Sequence, residues 1–113
     1  MSKKILIADD DAELRSMIRK ALEQSGQYEY EFTSTTEGTR EMIPRFKPDL
    51  LIIYEMDGGG VAFGDKQYEL GNLVIITSAD IQSNSGAPQI QRGSVGFRER
   101  LLAMIAELLA SRS

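Results

Sequence analysis

Three short runs, almost wholly apolar, constrain this chain most: Ile5-Leu6-Ile7-Ala8, Leu50-Leu51-Ile52-Ile53-Tyr54 and Leu73-Val74-Ile75-Ile76-Thr77. A strand with one wet face alternates apolar and polar residues, whereas a strand covered on both faces is apolar throughout. Each run is far too short to span a bilayer. Read together, the runs predict central strands of a parallel sheet covered by helices.

The segments between them supply those helices. Leu14, Met17, Ile18, Ala21 and Leu22 recur at helical spacing. Asp10 and Glu13 have capping-box spacing at the start of this helix, and Gly26 is placed to end it. Tyr28, Tyr30 and Phe32 alternate with Glu29 and Glu31, which predicts a strand whose aromatics pack on the sheet. A short helix over 38–46, disturbed by Pro44, leads into a Lys47-Pro48-Asp49 turn. Gly58-Gly59-Gly60 reads as a flexible turn before a short helix over 61–70. The Ser-, Gly-, Gln- and Asn-rich stretch 78–94 has room for a fifth strand near 89–92 but shows no good helix. Phe97, Leu101, Met104, Ile105 and Leu108 mark a terminal amphipathic helix. Strands alternating with helices give a three-layer α/β domain over 1–113. In open sheets of this kind, sites form beyond the carboxyl ends of the strands. Asp9, Asp10, Tyr54 and Thr77 stand at those ends and are expected to converge.

Composition removes several chemistries. The chain of 113 residues has no cysteine and no histidine, which excludes disulfides, Cys or His metal ligands and Ser-His-Asp hydrolysis. A net charge of −4 without a basic patch argues against nucleic acid and anionic membrane as partners. Because the apolar run after Met1-Ser2-Lys3-Lys4 is too short for a signal-peptide core, a cytoplasmic location is expected.

The order of these features resembles the receiver domain of response regulators, the CheY-like superfamily of two-component signalling. Residues 4–11, KILIADDD, are similar to that family's first strand with its acidic pair. Glu37-Gly38 stands where the family often has Asp-Gly. Residues 47–54, KPDLLIIY, are similar to the third strand, with Pro48 six residues ahead of the position that is phosphorylated. Residues 73–78, LVIITS, are similar to the fourth strand with its switch hydroxyl, and 97–109 to the closing helix. The resemblance implies a doubly wound, flavodoxin-like five-stranded sheet of order 2-1-3-4-5. The third and fourth helices are expected to be short or degenerate, because the stretches on either side of Thr77 are shorter than the family norm.

In the family, an acidic pair and an acceptor aspartate hold Mg²⁺, and the acceptor takes a phosphoryl group from a histidine kinase. Carried over residue by residue, Asp9 and Asp10 match the acidic pair and Thr77 the switch hydroxyl. Tyr54 stands at the acceptor position. The family's lysine falls on Gly93 or Ser94, and no lysine follows Lys66. A phenol is a poor substitute for the acceptor: with a pKa of about 10, roughly one in a thousand is ionised at neutral pH. Burial beside aspartates lowers that fraction. Asp9 and Asp10 offer at most a weak Mg²⁺ site, helped by Glu55 or Asp57, and the Tyr54 hydroxyl is expected to donate a hydrogen bond to one of the two aspartates.

This pattern reads first as a vestigial phosphorylation pocket in a non-enzymatic, phosphorylation-independent interaction module. Its partner would be a signalling protein or histidine-kinase-like protein, and the chain itself a monomer or weak homodimer. A residual phospho-receiver with a substitute acceptor such as Asp57 is the second reading. A haloacid-dehalogenase-like phosphatase is the third, set well below because the lysine and further acids of that chemistry are missing after Thr77.

Overall fold

The computed structural model describes residues 2–56, 59–79 and 85–111. Five strands, β1 (Lys3–Ala8), β2 (Tyr28–Thr33), β3 (Leu50–Tyr54), β4 (Val74–Ser78) and β5 (Gln89–Gln91), form one sheet of order β2-β1-β3-β4-β5. Every pairing is parallel. This is the doubly wound order expected. The helices are α1 (Ala12–Ser25), α2 (Thr36–Phe46), α3 (Gly60–Glu69) and α4 (Phe97–Ala110).

The three apolar runs are the three central strands, and their alternate side chains feed two separate cores. Ile5, Ile7, Leu50, Ile52 and Ile75 face α1 and α4, where Ile18, Leu22, Leu101 and Ile105 close the layer. Leu6, Ala8, Leu51, Ile53 and Ile76 face the other way, against Phe63 of α3 and Met42, Ile43 and Phe46 of α2. A continuous apolar strand is thus two interleaved half-patterns, each serving one face. At the β2 edge, Glu29 and Glu31 are exposed while Tyr30 and Phe32 pack edge-on at 5.8 Å, as the alternation predicts.

Local signals account for the joints, with corrections. The N-cap of α1 is Asp11, not Asp10: its Oδ1 accepts from the N–H groups of Glu13 and Leu14 at 2.9 and 3.2 Å. The strand needs Asp9 at its carboxyl end, and this leaves Asp10 in the connection, exposed to solvent. Gly26 closes the helix in the left-handed region at φ 64°, as its position suggested. Pro44 lies within α2 without ending it; the helix runs two residues further. The Lys47-Pro48-Asp49 turn latches β3 to β1, since Asp49 Oδ2 accepts from Lys4 N–H at 2.8 Å and Asp49 N–H donates back to Lys4 O at 2.7 Å.

The triple-glycine turn also differs from expectation. Gly58 lies outside the described residues, but Gly60 is buried and begins α3. A Cβ on Gly60 would stand 2.0 Å from the carbonyl oxygen of Tyr54, so the absence of a side chain is what lets α3 start directly against the end of β3. Between β4 and β5 no helix occurs among the described residues; residues 80–84 of that connection, where a degenerate fourth helix is expected, lie outside them.

Candidate functional site

The parallel register brings the strand ends level. Ala8 pairs with Ile53 and Tyr54 pairs with Thr77, so Asp9, Tyr54 and Thr77 sit side by side at the carboxyl edge of the sheet. Thr77 pairs in turn with Ile90, and Arg92 follows two residues later. The Arg92 N–H donates to Ser78 O at 2.8 Å, which extends the ladder and fixes where its side chain leaves the backbone.

Asp9 is almost fully buried, at 1 % exposure. Its Oδ1 accepts from the N–H of Asp11 at 2.8 Å. Its Oδ2 faces the guanidinium of Arg92 at 3.6 Å. Burial pushes the Asp9 carboxyl above its ordinary value; the Asp11 N–H and the charge of Arg92 pull it back without cancelling the effect, while the charges of Asp11 and Asp10 add to the rise. Asp10 makes no hydrogen bond or ion pair with Asp9, Tyr54, Thr77 or Arg92 among the described residues, so its expected convergence with them is not seen.

Arg92 is the residue that sequence reasoning missed. The resemblance located the site's cation at Gly93 or Ser94, and neither carries one. The cation comes instead from Arg92, one position earlier. Its guanidinium donates to Asp11 Oδ2 at 3.3 Å, pairs with Asp9, and lies over the Tyr54 ring 3.6 Å from the centroid. The available signal was its position just past the last residue of an apolar-centred strand, where a parallel sheet places its site residues.

Tyr54 therefore does something other than expected. Its hydroxyl makes no hydrogen bond to Asp9 or Asp10 among the described residues, and its ring is the surface on which Arg92 rests. An aromatic face attracts a cation through its quadrupole, contributing about 0.5–2 kcal/mol according to desolvation, and Tyr54 here is half-buried. Thr77 is fully buried, and its Oγ1 has no hydrogen-bond partner among the described residues. A buried hydroxyl left this way is a departure from the usual rule that such groups are satisfied.

With Arg92 seated against Asp9, a divalent ion does not fit these residues. No group of three or more acidic side chains able to hold a metal occurs among the described residues. One oxygen of Asp9 is engaged by backbone and the other faces a guanidinium. β3 ends in a phenol. Asp57, considered both as a helper for Mg²⁺ and as a substitute acceptor, lies outside the described residues, as does Asp80.

No protein-family model and no curated protein matches the sequence. Solved structures do match. A CheY-like response regulator receiver domain protein from Methanospirillum hungatei JF-1 superposes with a TM-score of 0.80 at 25 % identity, over 98 % of this chain and 96 % of that one. The response regulator domain of CheB from Thermotoga maritima gives 0.79 at 19 % identity, over 97 % and 98 %. An orphan response regulator of H. pylori gives 0.78 at 19 % identity, over 96 % and 97 %. With its five parallel strands in the order β2-β1-β3-β4-β5, the chain has the fold of the CheY-like response regulator receiver domains.

Proposed function

We propose that this protein is a receiver-type module of two-component signalling that works by binding a protein partner, without catalysis and without accepting a phosphoryl group. The observation that carries this reading is the end of β3. Level with buried Asp9 stands a phenol whose ring is covered by Arg92, where phosphoryl transfer of the receiver kind needs a carboxylate nucleophile. A tyrosine hydroxyl is neutral at physiological pH, and its ester with phosphate lacks the lability of an acyl phosphate. The vestigial pocket is then Asp9, Tyr54 and Thr77, with Asp10 at its solvent margin.

The surface around the pocket supports binding. An open groove lined by Asp11, Glu13, Leu14, Met17, Arg92 and Gly93 adjoins it, combining apolar and charged side chains of the kind protein interfaces use. No helix of the described residues is long and apolar enough to cross a membrane.

The test is incubation of the wild-type chain with acetyl phosphate and Mg²⁺, read by intact mass. The expected spectrum shows the unmodified chain alone. Stoichiometric, acid-stable and base-labile phosphate on an aspartate would overturn the proposal.

A further inference from the structure

Arg92 is held by three contacts of two kinds at once: Asp9 Oδ2 at 3.6 Å, Asp11 Oδ2 at 3.3 Å and the Tyr54 ring centroid at 3.6 Å. Its side chain keeps only 12 % exposure. A guanidinium gives up its water at a cost, and it stays buried only where charges and dipoles replace that water. Here two carboxylates and an aromatic face do so. The backbone contributes direction. The N–H of Arg92 is tied to Ser78 O at 2.8 Å, and Gly93 then turns the chain away in the left-handed region at φ 74°. The side chain is therefore thrown back across the strand ends.

We infer that Arg92 is the resident cation of this site. Its guanidinium holds the charge position against Asp9 and Asp11 that a divalent ion would need, so the acidic strand end is counterbalanced in part by the chain itself and excludes Mg²⁺ while Arg92 is in place. The inference rests on reading this strand end as a receiver-type pocket and deepens that reading by naming what controls it. Mg²⁺ requires near-octahedral oxygen coordination at about 2.0–2.1 Å. A guanidinium already facing the same Asp9 oxygen repels such an ion and occupies its approach. Tyr54 completes the arrangement, because a phenyl face seats a cation without adding a third negative charge that would call for a metal. Tyr54 and Arg92 thus form a complementary pair: one removes the acceptor carboxylate, and the other replaces the metal.

The experiment is a titration of ¹⁵N-labelled protein with magnesium chloride at constant ionic strength, following the backbone amides of Asp9 and Asp11. Arg92→Met keeps an unbranched stem over the Tyr54 ring but removes the charge, and Arg92→Gln serves the same purpose if the first variant folds poorly. Arg92→Lys keeps the charge. The neutral variants should show a saturable shift with an apparent Kd at least about tenfold below that of the wild type, equivalent to about 1.4 kcal/mol. The lysine variant should stay with the wild type, and adding Asp9→Asn to Arg92→Met should abolish the shift. Equal midpoints in wild type and neutral variants, or no saturable shift in the neutral variants, would overturn the inference. Aspartyl phosphate on the wild-type chain would instead overturn the functional reading, so the two failures are distinguishable.

Discussion

Thr77→Val asks whether the pocket stores instability at its floor. Thr77 is fully buried and its Oγ1 has no hydrogen-bond partner among the described residues. A buried hydroxyl without a partner costs about 1–3 kcal/mol relative to its hydrated state in the unfolded chain. Valine has nearly the same shape, so the exchange opens no cavity and replaces the hydroxyl with a methyl group against Ile90 and its neighbours. The expected gain is about 1–2 kcal/mol, set toward the lower end because mutational series rarely recover the whole penalty. Unfolding entropy of about 2.1 cal/mol/K per residue over 113 residues is roughly 0.24 kcal/mol/K. The gain then corresponds to a rise in Tm of about 4–8 °C. Circular dichroism melts provide the measurement, with urea unfolding at unchanged m-value to show that the native state alone has changed. Thr77→Ser separates the groups of the side chain: it keeps the hydroxyl, loses one methyl and should lower stability by about 0.8 kcal/mol. A Tm for Thr77→Val below that of the wild type would refute the reasoning, because it would mean that the hydroxyl is satisfied in solution.

The other predictions concern the same strand ends. Asp9 has its carboxyl raised from 3.8, so the folded state binds a proton where the unfolded chain does not. Its ionised form therefore lowers stability above the raised pKa, and the penalty is relieved as pH falls toward 3.8. Asp9→Asn should melt higher than the wild type at neutral pH, with the difference shrinking through the window between the raised value and 3.8; a lower melting point at neutral pH would show that pairing with Arg92 outweighs burial. Gly60→Ala should destabilise by about 3 kcal/mol, because its Cβ would meet the Tyr54 carbonyl oxygen at 2.0 Å and backbone must move. In Gly64→Ala the Cβ meets side chains rather than backbone, Ile76 at 3.2 Å and Ile53 at 3.6 Å, and the helix-propensity gain of about 1 kcal/mol over glycine offsets the crowding, so urea midpoints should differ little from wild type.

Much of this was legible in one dimension. The apolar runs that became β1, β3 and β4 announce themselves because a strand buried on both faces has no polar position to spare. Their ends place Asp9, Tyr54 and Thr77 level as soon as the sheet is parallel. Gly26 and the Tyr28/Tyr30/Phe32 alternation were read for the same reason: each is a local rule acting within a few residues. Where the structure differs, one difference is a choice between neighbours and the other a relation between elements. The cap belongs to Asp11 because β1 needs one more residue before the chain turns, and spacing to Glu13 alone could not decide between two adjacent aspartates. Gly60 looked like slack until the Tyr54 carbonyl, supplied by another element, came within reach of it.

The sequence by itself determined the layers and the phenol in place of a carboxylate at position 54, since these follow from residue type and period, while the strand order followed from its resemblance to receivers. Tertiary structure alone decided that Arg92 reaches from the end of β5 past β4 to rest on Tyr54 and pair with Asp9 and Asp11. The reason is physical: side-chain direction at a strand end depends on register and on the turn that follows. The charge that balances Asp9 comes from 83 residues along the chain, a contact that no local pattern encodes.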